Sequence, residues 1–235
     1  MLNVDKLDIV CDDDRTLINS IMRVYSEEIR AGKTNVFTCQ VEKSLTRHDA
    51  YNEYYKQVEE LNQFEQLLGL KGSKEESAIL MLADELSRHS FYNIMLVNGK
   101  EIAVPSGAGP LQHPMPYKDE GIRYIDVLTN LSDKTNFELA KDLFNVNMQP
   151  INTYFNQLRR RSSLLERPIV TARGDGRSYI YASFNPKYTH YILTILRTYL
   201  NFCNVYKYKK KEYTPAMRLG IADRPYTVED IIYFK

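Results

Sequence analysis

The 235-residue sequence predicts an α+β fold, mainly helical with small β-hairpins and divided into two domains. Three observations carry this expectation. Apolar residues recur at helical spacing through most of the first ninety residues and again from about residue 121. Two pairs of short apolar runs are each joined by a tight-turn signal, Asn98-Gly99 and Gly174-Asp175-Gly176. A stretch rich in proline and glycine, Pro105-Ser106-Gly107-Ala108-Gly109-Pro110 with Pro114 and Pro116 beyond it, separates the two halves.

In the first half, residues 13–31 place Leu17, Ile21, Tyr25 and Ile29 on one helical face, and Gly32 supplies the stop. Residues 41–68 repeat the pattern with Tyr51, Tyr54, Tyr55, Val58, Leu61, Phe64 and Leu68, ending at Gly69. The three tyrosines read as helix-packing residues. Ser73 and Glu76 form a capping box, in which each side chain satisfies a free backbone donor of the other residue; it opens a third helix reaching about Arg88. Phe91–Val97 and Lys100–Val104 then make a hairpin, because Asn and Gly both tolerate the positive φ of its turn. Residues 1–104 are thus expected as an acidic, mainly helical domain, and 105–119 as a linker.

The second half opens with an expected helix over 121–131, carrying Ile122, Ile125, Val127 and Leu128. A second capping box, Thr135 with Glu138, begins a short helix that turns Leu139, Ala140, Leu143 and Phe144 inward. Asn145-Val146-Asn147 leads into a longer helix over 148–163, with Asn147 as its cap and Pro150 in its first turn. Ile151, Phe155, Leu158 and Ser162 form the expected inner stripe of that helix. Its opposite face offers Gln149, Asn152, Thr153, Asn156, Arg159 and Arg160. A hairpin follows, 168–173 and 177–184, with Arg173 and Arg177 flanking the turn. Three helices and a basic-tipped hairpin in this order describe a winged helix-turn-helix over residues 120–186.

Residues 187–235 read as a helical extension. Pro186 opens a helix with Ile192, Leu196, Tyr199 and Cys203 in a stripe, which either packs on the preceding domain or pairs with a second subunit in a homodimer. Lys207, Lys209, Lys210 and Lys211 come next, interleaved with Tyr206 and Tyr208, and either extend a phosphate track or form a solvated helix end.

Charge gives these elements a function. The net charge is only +1, but residues 151–211 hold twelve Lys/Arg against two Asp/Glu, leaving −9 on the rest of the chain. A folded basic segment in an otherwise acidic protein resembles the electrostatic footprint of a polyanion site or a solvated charged face, and the winged-helix pattern decides for the first. Amides bond adenine edges in the major groove, and arginines reach guanine or phosphate. The expected partner is therefore double-stranded DNA, with Gln149, Asn152, Thr153 and Asn156 facing bases and Arg159, Arg160, Arg173, Arg177, Lys209 and Lys210 on phosphate.

Several other classes are excluded by composition. No run of eighteen apolar residues is present, and Met1-Leu2-Asn3-Val4-Asp5-Lys6 does not begin a secretory signal. Cys11, Cys39 and Cys203 are odd in number and widely spaced, which fits a reducing cytoplasmic compartment rather than a disulfide framework or zinc site. Ala31-Gly32-Lys33-Thr34 lacks the glycine spacing of a phosphate loop, and His48, His89, His113 and His190 are isolated.

The C-terminal end is similar to a known family. Leu196-Arg197-Thr198-Tyr199-Leu200-Asn201-Phe202-Cys203-Asn204 precedes Tyr213-Thr214-Pro215-Ala216-Met217-Arg218-Leu219-Gly220-Ile221-Ala222-Asp223-Arg224-Pro225-Tyr226. This resembles the closing segment of insertion-sequence transposases of the DDE type, over about forty residues. Phe155-Asn156-Gln157-Leu158-Arg159-Arg160-Arg161 also resembles the stretch beside their third catalytic carboxylate. The resemblance implies mobile DNA as the setting, and in the complete family site three carboxylates that hold two divalent metals such as Mg²⁺. Here Asn152 stands near the glutamate position, and Val205-Tyr206-Lys207 replaces the family's histidine. Upstream, Asp8 and the run Asp12-Asp13-Asp14 are the candidate aspartates, and such a run serves equally to cap a helix. No catalytic residue, metal ligand or cofactor is therefore assigned. The expectation is a regulator or accessory factor of a mobile element. The alternatives are a metal-dependent transposase or nuclease, and an interaction module that recruits a protein partner through its acidic N-terminal domain.

Overall fold

The computed structural model describes residues 6–118, 121–166, 169–170, 176–178, 185–208 and 210–233. The fold is mixed α+β, and the chain divides into two compact units, one of residues 5–148 and one dominated by residues 149–235.

The first unit is built on strand β2 (Thr34–Val41), buried from Thr34 to Cys39 without the alternation of a half-exposed strand. A strand covered on both faces reads as one continuous apolar and β-branched run, which is why helical spacing hid it. Strand β1 (Leu7–Cys11) pairs with it in parallel, from Leu7↔Thr34 to Cys11↔Thr38. Parallel pairing requires a crossover, supplied by α1 (Arg15–Val24) and α2 (Ser26–Arg30). The helix expected over 13–31 is thus two, broken at Tyr25, and Gly32 closes the second at φ 67°. Asp14 caps α1, its carboxylate accepting from the Leu17 amide at 2.9 Å.

The region expected as the first helix of the helix-turn-helix, 121–131, holds no helix and is instead centred on a strand. β6 (Arg123–Val127) runs antiparallel to β2, from Phe37↔Val127 to Val41↔Arg123. Arg123, Ile125 and Val127 are buried, while Tyr124 and Asp126 are half-buried, a period of two. The free edge of β2 needs hydrogen-bond partners, and this β-branched segment supplies them. β5 (Leu111–Gln112) adds to β6, giving the order β1-β2-β6-β5. The N-terminal unit is therefore less helical than expected.

One face of this sheet carries Val10, Phe37, Cys39, Ile125, Val127 and Leu111 into the core. α4 (Lys74–Leu86) covers it with Leu82 and Leu86, and α5 (Asn136–Phe144) with Leu139, Ala140 and Leu143. Both helices start at the expected capping boxes, Ser73/Glu76 and Thr135/Glu138. α3 (Arg47–Leu68) buries only Gln57 and Leu61. Its tyrosines pack mainly on one another, Tyr51 to Tyr55 at 5.0 Å and Tyr54 to Tyr55 at 5.3 Å between ring centroids. β3 (Tyr92–Val97) and β4 (Lys100–Pro105) form the expected hairpin, with Asn98 at φ 52° and Gly99 at φ 75°.

Among the described residues of the stretch 105–119, only Pro105 and the two-residue β5 are strand. Beyond Pro110 it enters the sheet through β5 and buries His113, so the compact unit ends at Met148 and not at residue 104. The tie is a polar cluster: His113 Nε2 lies 3.0 Å from the Phe144 carbonyl, and Nδ1 accepts from the Met115 amide at 3.1 Å. Arg123 Nη2 lies 3.2 Å from the same Nδ1 and donates to the Met115 carbonyl at 2.7 Å, its guanidinium 4.5 Å from the Tyr117 ring centroid. His113 and Arg123 are each 3% exposed. Local sequence does not announce such a cluster, because its members gain partners only when the strands assemble.

Burial, and next to it the Arg123 charge, push the His113 imidazole down to about 4 from 6.5. A histidine whose folded pKa is lowered contributes stability that is complete above 6.5 and is lost as pH falls towards 4. Between those values the slope reaches about 1.4 kcal/mol per pH unit. Urea unfolding of the protein and of His113→Gln between about pH 7 and pH 5 should show the wild type losing stability faster. Parallel pH curves would mean that His113 is not held neutral in the fold.

Candidate nucleic-acid interface

Residues 149–235 hold fifteen Lys/Arg and six Asp/Glu, a net +9 that leaves −8 on residues 1–148. The unit opens with α6 (Gln149–Arg161), which has Pro150 in its first turn, where a missing amide costs least. Arg159, Arg160 and Arg161 fill its last turn, where cations suit the negative end of the helix dipole. The two helices expected to form a helix-turn-helix are α5 and α6, and they belong to different compact units.

At about 100° per residue, Gln149, Asn152, Thr153, Asn156, Arg159 and Arg160 fall within one face of α6 spanning roughly 120°. Asn152, Thr153, Asn156 and Arg160 are exposed; Gln149 and Arg159 are half-buried. The Arg159 guanidinium lies 5.8 Å from the Phe155 ring centroid. The expected inner stripe holds only in part. Leu158 is buried and Ser162 half-buried, but Ile151 and Phe155 are 39% and 43% exposed. An apolar stripe predicts burial only where another element reaches it, and here that happens at Leu158. Arg161 has a separate task, donating to the Asn204 side chain at 3.2 Å and tying the end of α6 to the C-terminal segment.

A 3-10 turn, Ser163–Leu165, follows. β7 (Ile169–Val170) and β8 (Arg177–Ser178) then pair antiparallel, Ile169↔Ser178 and Val170↔Arg177, inside the expected hairpin. Arg177 is exposed. Arg173 and Lys209, both expected phosphate contacts, lie outside the described residues.

Asn185 caps α7 (Pro186–Thr198) by accepting from the Lys187 amide at 3.0 Å, with Pro186 at the first helical position as expected. α7 passes into a π-helical turn, Tyr199–Cys203, that buries Leu200. Ile192, Leu196 and Cys203 are half-buried, whereas Tyr188, Tyr191, Ile195 and Tyr199 are exposed. Where a solvated helix end was one reading, the chain instead makes β9 (Tyr206–Tyr208) and β10 (Lys211–Tyr213). Lys210 stands exposed in their turn. The Tyr206-Lys207-Tyr208 alternation before Lys209-Lys210 was the available signal. Thr214 and Pro215 start α8 (Pro215–Arg218), and Gly220 follows at φ 68°. α9 (Val228–Ile232) closes the described chain behind a Thr227/Asp230 capping box, with Arg224 held on Asp230.

The N-terminal aspartates have local structural tasks. Asp8 accepts from the Asn35 side-chain amide at 2.6 Å, Asp12 from the Asp13 amide at 3.0 Å, and Asp14 is the α1 cap. Among the described residues, no three His, Cys, Asp or Glu side chains gather as a ligand set for a metal ion. Cys11, Cys39 and Cys203 are free thiols. Among the described residues, no helix is long and apolar enough to cross a membrane. No protein family, curated protein or solved structure significantly matches this chain.

Proposed function

We propose that this chain is a sequence-specific double-stranded DNA-binding protein, acting as a regulator or accessory factor of a mobile element rather than as an enzyme. The observation that carries the reading is the polar face of α6. Asn152, Thr153 and Asn156 are exposed there beside Arg159 and Arg160, in a unit of net charge +9. An α-helix fits the major groove, where side-chain amides pair with adenine edges and guanidinium groups with guanine or phosphate. Arg177 on the β7–β8 hairpin adds a cation beyond the helix, as the wing of a winged helix does. The transposase-like ending, with its Thr214 cap and Pro215, supports a setting in mobile DNA on the nucleoid.

The test is binding to a randomised duplex pool at two salt concentrations, with bound fragments sequenced. Replacing Arg159 and Arg160 with Ala should weaken binding to all sequences and flatten the log–log salt dependence by about 1.8, two phosphate contacts at about 0.9 each. Asn156→Ala should change the preferred motif, at a cost of about 1–3 kcal/mol on the preferred site. An unchanged salt slope in the double variant would remove α6 from the interface.

A second reading, of the same chain as a protein-binding module, is favoured by the β3–β4 hairpin. Ile94, Met95, Leu96, Val97 and Ile102 are all exposed, with Leu96 at 73%, and among the described residues the ribbon pairs with no further strand. Phe91–Val97 contains no charge and no proline to guard its edge. A two-stranded ribbon with apolar side chains on both faces gains stability from a covering partner, and a second copy of this chain is the simplest one. Sedimentation of the full chain should then give a dimer that Leu96→Lys converts to a monomer. Equal monomer masses for both proteins would exclude the homodimer.

A further inference from the structure

The β9–β10 ribbon has the register Tyr206↔Tyr213, Lys207↔Glu212 and Tyr208↔Lys211, leaving a two-residue turn. Turns of this length favour Asn and Gly, because the backbone must pass through positive φ. Lys210 takes that conformation, at φ 67°. Among the described residues, Asn98 is the other non-glycine with positive φ, and it occupies the Asn-Gly turn where such a value is usual. A lysine has no short polar side chain to bond its own backbone there, so it bears steric strain that glycine would avoid. Strain kept at an exposed position points to a use for the side chain.

The cations around the turn are sorted by the register. Lys207 stands opposite Glu212 in the strand pair, a register that favours opposite charges. Lys211 is paired instead with Tyr208, and the exposed Arg218 of α8 sits with its guanidinium 4.7 Å from the Tyr208 ring centroid. Lys210 and Lys211 are both exposed. The base of the ribbon is fastened on both sides. Before it, Asn204 receives Arg161 of α6, and the Phe202 carbonyl accepts from the Tyr226 amide at 2.9 Å. After it, the fully buried Thr214 caps α8, its hydroxyl accepting from the Met217 amide at 3.3 Å. A charged tip on a fastened base loses little freedom when it engages an anion.

We infer that the β9–β10 ribbon is a second phosphate-binding element, in which Lys210, Lys211 and Arg218 hold the sugar-phosphate backbone of the duplex that α6 reads. The inference rests on the DNA-binding reading and adds to it the element that fixes the protein's register on the backbone. Phosphate contacts position a protein without carrying sequence information. The ribbon therefore governs affinity and salt dependence, while α6 governs the motif.

The experiment uses the full chain and a fluorescent random-sequence duplex titrated at several salt concentrations. Lys210→Asn, whose side chain tolerates positive φ, should bind about five- to ten-fold more weakly near 0.1 M salt, with a slope shallower by about 0.9. Lys210→Asn combined with Lys211→Gln should lower the slope by about 1.8 and leave the sequenced motif unchanged. Lys210→Arg keeps the charge and should keep the wild-type slope; a fall there too would show a conformational loss and overturn the inference. An unchanged slope in the double lysine variant, while the Arg159/Arg160 variant still flattens it, overturns the ribbon's role and leaves the α6 reading standing. Absence of duplex binding by the wild type overturns both.

Discussion

The first unit is organised by the demands of a strand buried on both faces. From Thr34 to Cys39, β2 is buried, so its amides and carbonyls must find partners along both edges. β1 supplies one edge in parallel and β6 the other in antiparallel. Past the end of the β6 ladder, the Val36 amide donates to the Thr129 hydroxyl at 3.0 Å, and the Leu128 amide returns a bond to the Val36 carbonyl at 2.9 Å. The rest follows from this requirement. A parallel neighbour needs the α1–α2 crossover, an antiparallel one brings Arg123–Val127 into the sheet, and the apolar face thereby assembled needs α4 and α5 as its cover.

The second unit is organised differently. Among its described residues only Leu158, Leu200, Thr214 and Ala216 are buried, and its short elements are held by local devices. Asn185, Thr214 and Thr227 cap helices, Arg161 reaches Asn204, Arg224 grips Asp230, and the Phe202 and Tyr226 rings stack at 5.7 Å. Many of its cations are left exposed by this arrangement. A surface of this kind suits a polyanion, whose many phosphates reward dispersed positive charge more than a deep pocket would.

The features that were legible in the sequence are those whose physics is local. Ser73/Glu76 and Thr135/Glu138 form capping boxes because each needs only four consecutive residues, and Asn98-Gly99 turns because both residues accept positive φ. The same holds for Thr214-Pro215 and for Pro186 at the first position of its helix. The polar face of α6 was readable because helical geometry alone aligns Gln149, Asn152, Thr153 and Asn156. Its inner stripe was only half readable, since the exposure of Ile151 and Phe155 depends on what packs against them.

Long-range pairing decided the remainder. Ile122, Ile125 and Leu128 fit a helical period, while Arg123, Ile125 and Val127 fit a strand's; the open edge of β2, more than eighty residues earlier, selects the second. The prolines and glycines of 105–119 marked a boundary in the sequence, yet His113 is drawn inside by the Phe144 carbonyl and by Arg123. Tyr206–Tyr213 folds back on itself instead of fraying, with Lys210 holding the turn at positive φ. The sequence by itself determined the caps, the Asn-Gly turn, the charge segregation and the polar face of α6, because each depends on residues within a few positions or on composition. Only the tertiary structure decided which apolar runs became strands and where the first unit ends, because those outcomes depend on hydrogen-bond partners far away in the chain.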